Sequence, residues 1–115
     1  MIDWCSVNSD LKMVGMEMPQ HTQETLEHYL LRGWAPGGFV ESMLAHDYDR
    51  AFACADIANR QMIWAIWRWI SESSPPLCHG SYKAIEMWRD DLGGRRTNYA
   101  REIEQAAMWR KLSTV

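Results

Sequence analysis

Clusters of glycine and proline cut this chain into short segments and limit its secondary structure more than any other feature. The clusters are Trp34-Ala35-Pro36-Gly37-Gly38, Ser73-Ser74-Pro75-Pro76 and Gly93-Gly94. Proline removes a backbone donor and disfavours helix in the residue before it, and glycine weakens a helix interior. Continuous helices are therefore expected only between the clusters. The most apolar stretch, Met62 to Trp67, is interrupted by Arg68 and falls far short of the roughly 20 residues that span a bilayer.

Between the clusters, apolar residues repeat with the spacing of a helix. The pattern predicts helices over 22–32, 39–46, 48–55, 57–71, 82–92 and from 97 or 98 onward. Asp47 and Asp56 are natural N-caps, and the sequence leaves open whether 48–71 forms one bent helix or two. No segment alternates apolar and polar residues as a half-buried strand does. We therefore predict an all-α fold, a compact bundle of about five to six short helices.

The chain has the size of one domain. Its 115 residues, 47% of them apolar, can bury a single core but not two. We therefore treat 1–115 as a single helical domain, with 1–20 as an irregular N-terminal arm and 21–115 as the helical core. Three widely spaced cysteines and an N-terminus without a secretory leader favour free thiols and a cytoplasmic location. A net charge of −3 gives no global reason to expect direct nucleic-acid or membrane contact.

Residues with catalytic or metal-binding chemistry do not form a familiar pattern. Cys78 and His79 are adjacent and generally point apart, and His21 and His28 are seven positions apart along the chain. No Gly-x-Ser-x-Gly turn is present, and Asp47 is better explained as a helix cap than as a general acid or base. We therefore expect no catalytic residues, no metal site and no cofactor, so that the chain acts by binding.

Two glycines at a predicted helix start form the strongest candidate for ligand binding. In Pro36-Gly37-Gly38-Phe39, free backbone amides and the helix dipole favour an anion, although a helix–helix turn packed through glycine is the simpler explanation. Arginine side chains could complete an anion site, and tryptophan could stack on a base. The candidate ligand-binding residues are Trp34, Gly37, Gly38, Phe39, Arg50, Asp56, Asn59, Arg60 and Trp64.

Seven tryptophans exceed what one small core can bury. On the helix over 57–71, a stripe of Ile63, Ile66, Trp67 and Ile70 is predicted to face the core, because these residues follow helical spacing. Trp64 and Trp69 point elsewhere at about 100° per residue. We therefore expect a homo-oligomer or a partner contact that uses Trp64, Arg68 and Trp69.

Parts of the sequence resemble a family of small tailed-phage and prophage proteins of unassigned function. The resemblance rests on the Pro-Gly-Gly-Phe helix start, the step Ala53-Cys54-Ala55-Asp56 followed by Asn59, and the turn Cys78-His79-Gly80-Ser81. It covers roughly residues 22 to 90. The family has arginine where this chain has Cys54 and tryptophan where it has His79.

The resemblance implies a phage accessory protein that acts in the host bacterial cytoplasm. Small non-enzymatic phage proteins commonly counter bacterial immunity, so we expect sequestration of a nucleotide-derived immune signal. The alternatives are a protein that blocks a bacterial defence complex, as anti-CRISPR proteins do, and a regulatory or structural accessory protein of the phage. The expected partner is thus a small nucleotide-type ligand or a host defence protein.

Overall fold

Every regular element that the structure describes is helical. The structure is a computed structural model that describes the backbone of residues 18–113 and the side chains of residues 18–108. The elements within that range are α1 (Gln20–Arg32), α2 (Gly37–Leu44), α3 (Tyr48–Cys54), α4 (Ile57–Gln61), α5 (Ile63–Ser73), α6 (Tyr82–Arg89) and α7 (Arg95–Ser113), with short 3-10 turns at Pro76–Cys78 and Leu92–Gly94. These elements confirm the all-α prediction. Most of the predicted N-terminal arm lies outside the described residues.

The region 48–71, which lies between the first and second glycine-proline clusters, divides into three helices rather than one or two. Asp47 caps α3 by accepting the backbone amide of Arg50 at 3.4 Å, and Asp56 caps α4 by accepting that of Asn59 at 2.8 Å. Both predicted caps are therefore confirmed. A further break falls at Met62, whose φ of −110° and ψ of 11° separate α4 from α5. The broken chain turns the polar face of α4 toward the start of α2.

Helix α2 lies in the middle of the bundle. It contacts α1, α3, α5 and α6, and most of its side chains are buried. The core around it is closed by a hydrogen bond of 2.7 Å from the Tyr29 hydroxyl to the carbonyl of Cys78. The largest buried side chains are Trp69, Trp88, Tyr29, Leu26, Leu30, Met43, Leu44, Ile66 and Ile70. The central position of α2 fixes both of its ends relative to the rest of the molecule.

The turn between α1 and α2 is built on Gly33. This residue ends α1 with φ of 72°, a left-handed conformation that glycine adopts at little cost. A Cβ atom at Gly33 would lie 2.7 Å from Nε of Arg96, so the turn also packs closely against α7. The carbonyl of Gly33 accepts a hydrogen bond of 3.2 Å from Arg89 on α6. These contacts set where α2 begins.

The predicted inward face of α5 is wrong on one flank. Trp69 is 0% exposed and belongs to the core, whereas Trp67 is 42% exposed. Ile66 and Ile70 belong to both the predicted and the observed face, so helical spacing alone does not determine whether Trp67 or Trp69 is buried beside them. The Trp69 side includes the small residue Ala65, which lets a neighbouring helix approach, while the Trp67 side carries the charged Arg68. Trp69 is therefore unavailable for the subunit or partner contact predicted for it.

No helix in the described part of the chain is both long and apolar enough to cross a lipid bilayer.

Candidate functional site

A groove at the N-terminal end of α2 brings together residues from four helices and their connections. Its volume is about 210 Å³, and we call it the α2 groove. Pro36 stands at the N-cap of α2 and no side chain caps the helix, so the amides of its first turn have no side-chain partner. Gly37 has φ of 81°, which allows the chain to turn sharply into the helix. The groove is lined by His21, Thr25, Pro36, Gly37, Gly38, Phe39, Val40, Cys54, Asp56 and Asn59.

Asn59 presents hydrogen-bond donors to this groove. The side chain is only 4% exposed, and its Oδ1 accepts a hydrogen bond from the hydroxyl of Thr22 on α1. Because the amide is planar, this bond directs the NH₂ group away from Thr22. The NH₂ group has no hydrogen-bond partner among the residues that the structure describes. The NH₂ group keeps some contact with solvent, so a ligand acceptor at this position would replace water as its hydrogen-bond partner.

Arg50 places a positive charge beside the first turn of α2. Its NH2 atom lies 3.7 Å from the position that a Cβ atom of Gly38 would occupy. The Tyr82 hydroxyl accepts a hydrogen bond of 3.0 Å from Arg50 and donates one of 2.6 Å to Asp47. The bond to Tyr82 raises the pKa of Arg50 and keeps its guanidinium charged. Glu41 lies 3.7 Å away and neutralises part of that charge.

Asp56 is the acidic residue of the groove, and one of its two carboxylate oxygens already accepts a hydrogen bond. One carboxylate oxygen of Asp56 accepts the backbone amide of Asn59, which directs it toward α4. No hydrogen bond joins Asp56, His21 or Cys54 to one another among the described residues. An acid–base pair or an activated thiol would need such a contact. Among the described residues, the groove thus combines hydrogen-bond donors with one partly engaged carboxylate.

Four of the predicted ligand-binding residues do not line the groove: Arg50 lies at its edge, and Trp34, Arg60 and Trp64 lie elsewhere. Trp34 packs on α1, where its ring stacks on His28 at 4.4 Å and lies under the guanidinium of Arg32 at 5.5 Å. Arg60 donates to the carbonyl of Ala55 at 3.3 Å. Trp64 lies on the outer face of α5. The chemistry of their side chains predicts that these residues share one site, whereas the break at Met62 and the turn at Gly33 direct them to different surfaces.

Trp64 and Arg68 do lie together, as predicted, on the outer face of α5. Trp64 is 66% exposed, and the guanidinium of Arg68 lies 5.5 Å from the centre of its ring. Arg68 also forms an ion pair of 3.1 Å with Glu72. With Trp67 on the same side, this outer face of α5 is an exposed aromatic surface with a charged edge. Such surfaces are typical of protein contacts.

Sequence reasoning missed several residues that the fold brings to the groove. His21 and Thr25 lie one helical turn apart on α1 and line the groove, and the neighbouring Thr22 donates to Asn59; all three precede Pro36 by more than ten residues. Their role depends on how α1 packs against α4, and nothing in the local sequence signals it. Tyr82 is likewise far along the chain from Arg50. Only the polar face of α1 could have drawn attention to Thr22, because a buried threonine needs a hydrogen-bond partner.

Comparisons with protein-family models, with curated proteins and with solved structures find no match for this chain. The chemistry of the groove therefore rests on its own geometry.

Proposed function

We propose that this chain binds a small phosphorylated ligand in the α2 groove without transforming it. One observation carries the proposal: unpartnered hydrogen-bond donors converge in one groove, from the uncapped first turn of α2 and from the nearly buried amide of Asn59. Phosphate oxygens accept hydrogen bonds and carry negative charge, so they suit both groups. The guanidinium of Arg50 adds a charged donor at the edge of the same turn.

The size of the groove limits how much of a ligand it holds. A volume of about 210 Å³ is smaller than that of an ordinary small-molecule pocket, about 300 Å³ or more. The groove therefore suits the phosphate and sugar end of a nucleotide, with the free oxygen of Asp56 available to accept a hydroxyl. Phe39 supplies an apolar wall. The base would extend beyond the groove, onto the protein surface or against a second copy of the chain.

The biological setting that we propose follows from the sequence resemblance. The Pro-Gly-Gly-Phe start of α2 and the Asp56 to Asn59 step are the parts that resemble the phage family, and both contribute to the groove. We infer a phage protein that sequesters a nucleotide-derived immune signal in the host bacterial cytoplasm. Binding alone is sufficient for this role, since a captured signal cannot reach its receptor.

Native mass spectrometry tests the proposal directly. The protein is purified from bacteria with an active nucleotide-signalling defence and from bacteria without one. We expect a mass increment only in the first sample, released intact on denaturation. Asn59→Ala and Arg50→Gln should lose the increment while circular dichroism stays helical. Lys83→Gln is the matched control, because it removes the same charge from an exposed residue on α6 and should retain the increment.

The proposed site would be wrong if both Asn59→Ala and Arg50→Gln kept the bound molecule. A folded protein that carries no small molecule in either sample would contradict sequestration.

The exposed aromatic surface of α5 favours a second candidate function. Trp64 and Trp67 lie on one side of this helix, and large exposed aromatic side chains often dominate the energy of protein–protein contacts. In this alternative the chain blocks a bacterial defence complex. Pull-down of a defined defence complex by the wild type, and not by the Trp64→Ala/Trp67→Ala double variant, would favour blocking. Binding to neither ligand nor complex would favour a regulatory or structural accessory role.

A further inference from the structure

Two histidines from distant parts of the chain meet at the C-terminal end of α2, at the opposite end from the α2 groove. His46 lies in the turn between α2 and α3, and His79 lies in the connection before α6. His46 Nε2 and His79 Nδ1 are 3.0 Å apart and share a hydrogen bond, in which one ring nitrogen donates and the other accepts, and the ring centres are 5.1 Å apart. The residues are separated by 33 positions in sequence, so the fold alone brings them together.

The backbone fixes this arrangement independently of the imidazoles. The amide of Gly80 donates a hydrogen bond of 2.8 Å to the carbonyl of Leu44, which joins the loop before α6 to the end of α2. His46 has φ of 62°, and its ring stacks on Tyr48. Both histidines are therefore positioned before any ligand arrives.

We propose that His46 Nε2 and His79 Nδ1 together bind a divalent transition-metal ion of the Zn²⁺ type. A tetrahedral zinc ion with zinc–nitrogen bonds of about 2.0–2.1 Å holds two ligand nitrogens about 3.3 Å apart. The observed separation differs from that value by a few tenths of an ångström, which small side-chain rotations supply. Imidazole is a preferred ligand for zinc, copper and nickel.

The surroundings of the pair determine the kind of site. No group of three or more His, Cys, Asp or Glu side chains converges within the part of the chain that the structure describes. The carboxylate of Asp47 is already held by the hydroxyl of Tyr82. The protein thus offers two ligands, and water would fill the remaining positions, because His46 faces solvent.

The protonation of the pair is compatible with ligation. Burial and the neighbouring imidazole of His46 lower the pKa of His79, so its lone pair is available at neutral pH. Each neutral imidazole has one N–H. In the observed contact one of the two facing nitrogens carries this hydrogen, so metal binding replaces the hydrogen bond between the rings and requires the hydrogen to move to the other nitrogen of its own ring, without net proton release.

Calorimetric titration of the full chain with Zn²⁺ tests the site, with Mg²⁺ as the comparison ion. We expect Zn²⁺ to bind with one ion at this site and Mg²⁺ to give no heat, because Mg²⁺ prefers oxygen ligands. His46→Gln and His79→Gln should each lose this binding, while His21→Gln and Cys54→Ser should keep it. Retention of the Zn²⁺ heat by folded His46→Gln and His79→Gln proteins, or no heat with the wild type, would overturn the proposal.

A measurement on the unaltered protein avoids any effect of the substitutions on folding. Cu²⁺ added at less than one equivalent is observed by electron paramagnetic resonance. We expect nitrogen hyperfine splitting from two imidazoles. A spectrum with no nitrogen splitting, or with one nitrogen, would contradict joint ligation by the pair.

Discussion

At the scale of single residues, the hydrogen bond from Thr22 to Asn59 determines the chemistry of the α2 groove. It joins two buried side chains that are 37 positions apart and gives Asn59 a single orientation. The donors that face the groove depend on that orientation. Stability and the ligand binding that we propose are therefore linked at this contact.

Replacing Thr22 by valine keeps the shape of the side chain and removes the hydroxyl. We expect Thr22→Val to lower the free energy of unfolding by about 1–3 kcal/mol, because the oxygen of Asn59 loses its partner inside the protein. Urea denaturation measures the change. Thr25→Val is the control, since the hydroxyl of Thr25 donates only to the exposed carbonyl of His21. It should stay within about 0.5 kcal/mol of the wild type, and an equal loss in both variants would contradict the special role of Thr22.

Asp91 contributes a pH dependence at the start of α7. Its side chain accepts the hydroxyl and the backbone amide of Thr97, and these hydrogen bonds lower its pKa below the ordinary value of 3.8. A lowered pKa in the folded state means that the stabilisation is complete above pH 3.8 and is lost as the pH falls through the folded-state pKa.

We expect Asp91→Asn to lose less stability than the wild type when the pH is lowered from about 5 to about 2, because the titrating group is absent. Urea denaturation at both pH values measures the difference. Asp90→Asn, at the neighbouring exposed position, should keep the wild-type pH dependence. An Asp91→Asn protein as sensitive to acid as the wild type would refute this role for Asp91.

At this scale, the predicted residues that line the α2 groove are those with a local signal. Gly37, Gly38 and Phe39 begin a helix, and Asp56 and Asn59 begin another, so cap chemistry and glycine conformation identify them. Trp34, Arg60 and Trp64 do not line the groove, and their position depends on how helices pack. Helix packing is not encoded within a few residues of each side chain.

At the scale of elements, the sequence predicts where helices begin better than which way they face. Side-chain caps and glycine-proline breaks act through neighbouring atoms, and Asp47 and Asp56 cap the helices expected of them. The inward face of α5 depends instead on tertiary packing, since Ile66 and Ile70 are compatible with either flank. The short α4 was also missed, because no proline or glycine marks the break at Met62.

The two flanks of α5 give a direct comparison. We expect Trp69→Ala to lower the free energy of unfolding by about 3–5 kcal/mol, because it removes a large ring from the core. Trp67→Ala should change it by no more than about 1 kcal/mol, since much of that ring is already in solvent. Urea denaturation followed by circular dichroism measures both. If Trp67→Ala lowered the free energy of unfolding more than Trp69→Ala, the result would support the core-facing stripe that the sequence pattern predicts.

At the scale of the whole molecule, the composition and the positions of the glycine-proline clusters are sufficient to predict a single helical bundle. The arrangement of its surface is not predictable in this way. The outer face of α5 and the α2 groove lie on different elements. Helical spacing in the sequence does not predict all the residues of either surface. Their separation permits ligand binding and self-association to be altered independently.

We expect the chain to self-associate through Trp64 and the neighbouring part of α5. Trp64→Ala should lower the mass measured by light scattering, because an exposed aromatic side chain is a typical anchor of a subunit contact. Trp34→Ala is the control, as that ring is also exposed but lies beyond α1 and packs on His28. A mass unchanged by Trp64→Ala, or changed equally by Trp34→Ala, would exclude Trp64 as the specific contact.

The central position of α2 has a consequence for how the protein could evolve. The helix that presents its amides to the groove also holds the core together, so substitutions along α2 that improve the fit to a ligand would often destabilise the fold. The opposite wall is under weaker constraint, because Cys54 and Asp56 are exposed. Adaptation to a new ligand is therefore expected to alter that wall first and to leave the glycine start of α2 unchanged.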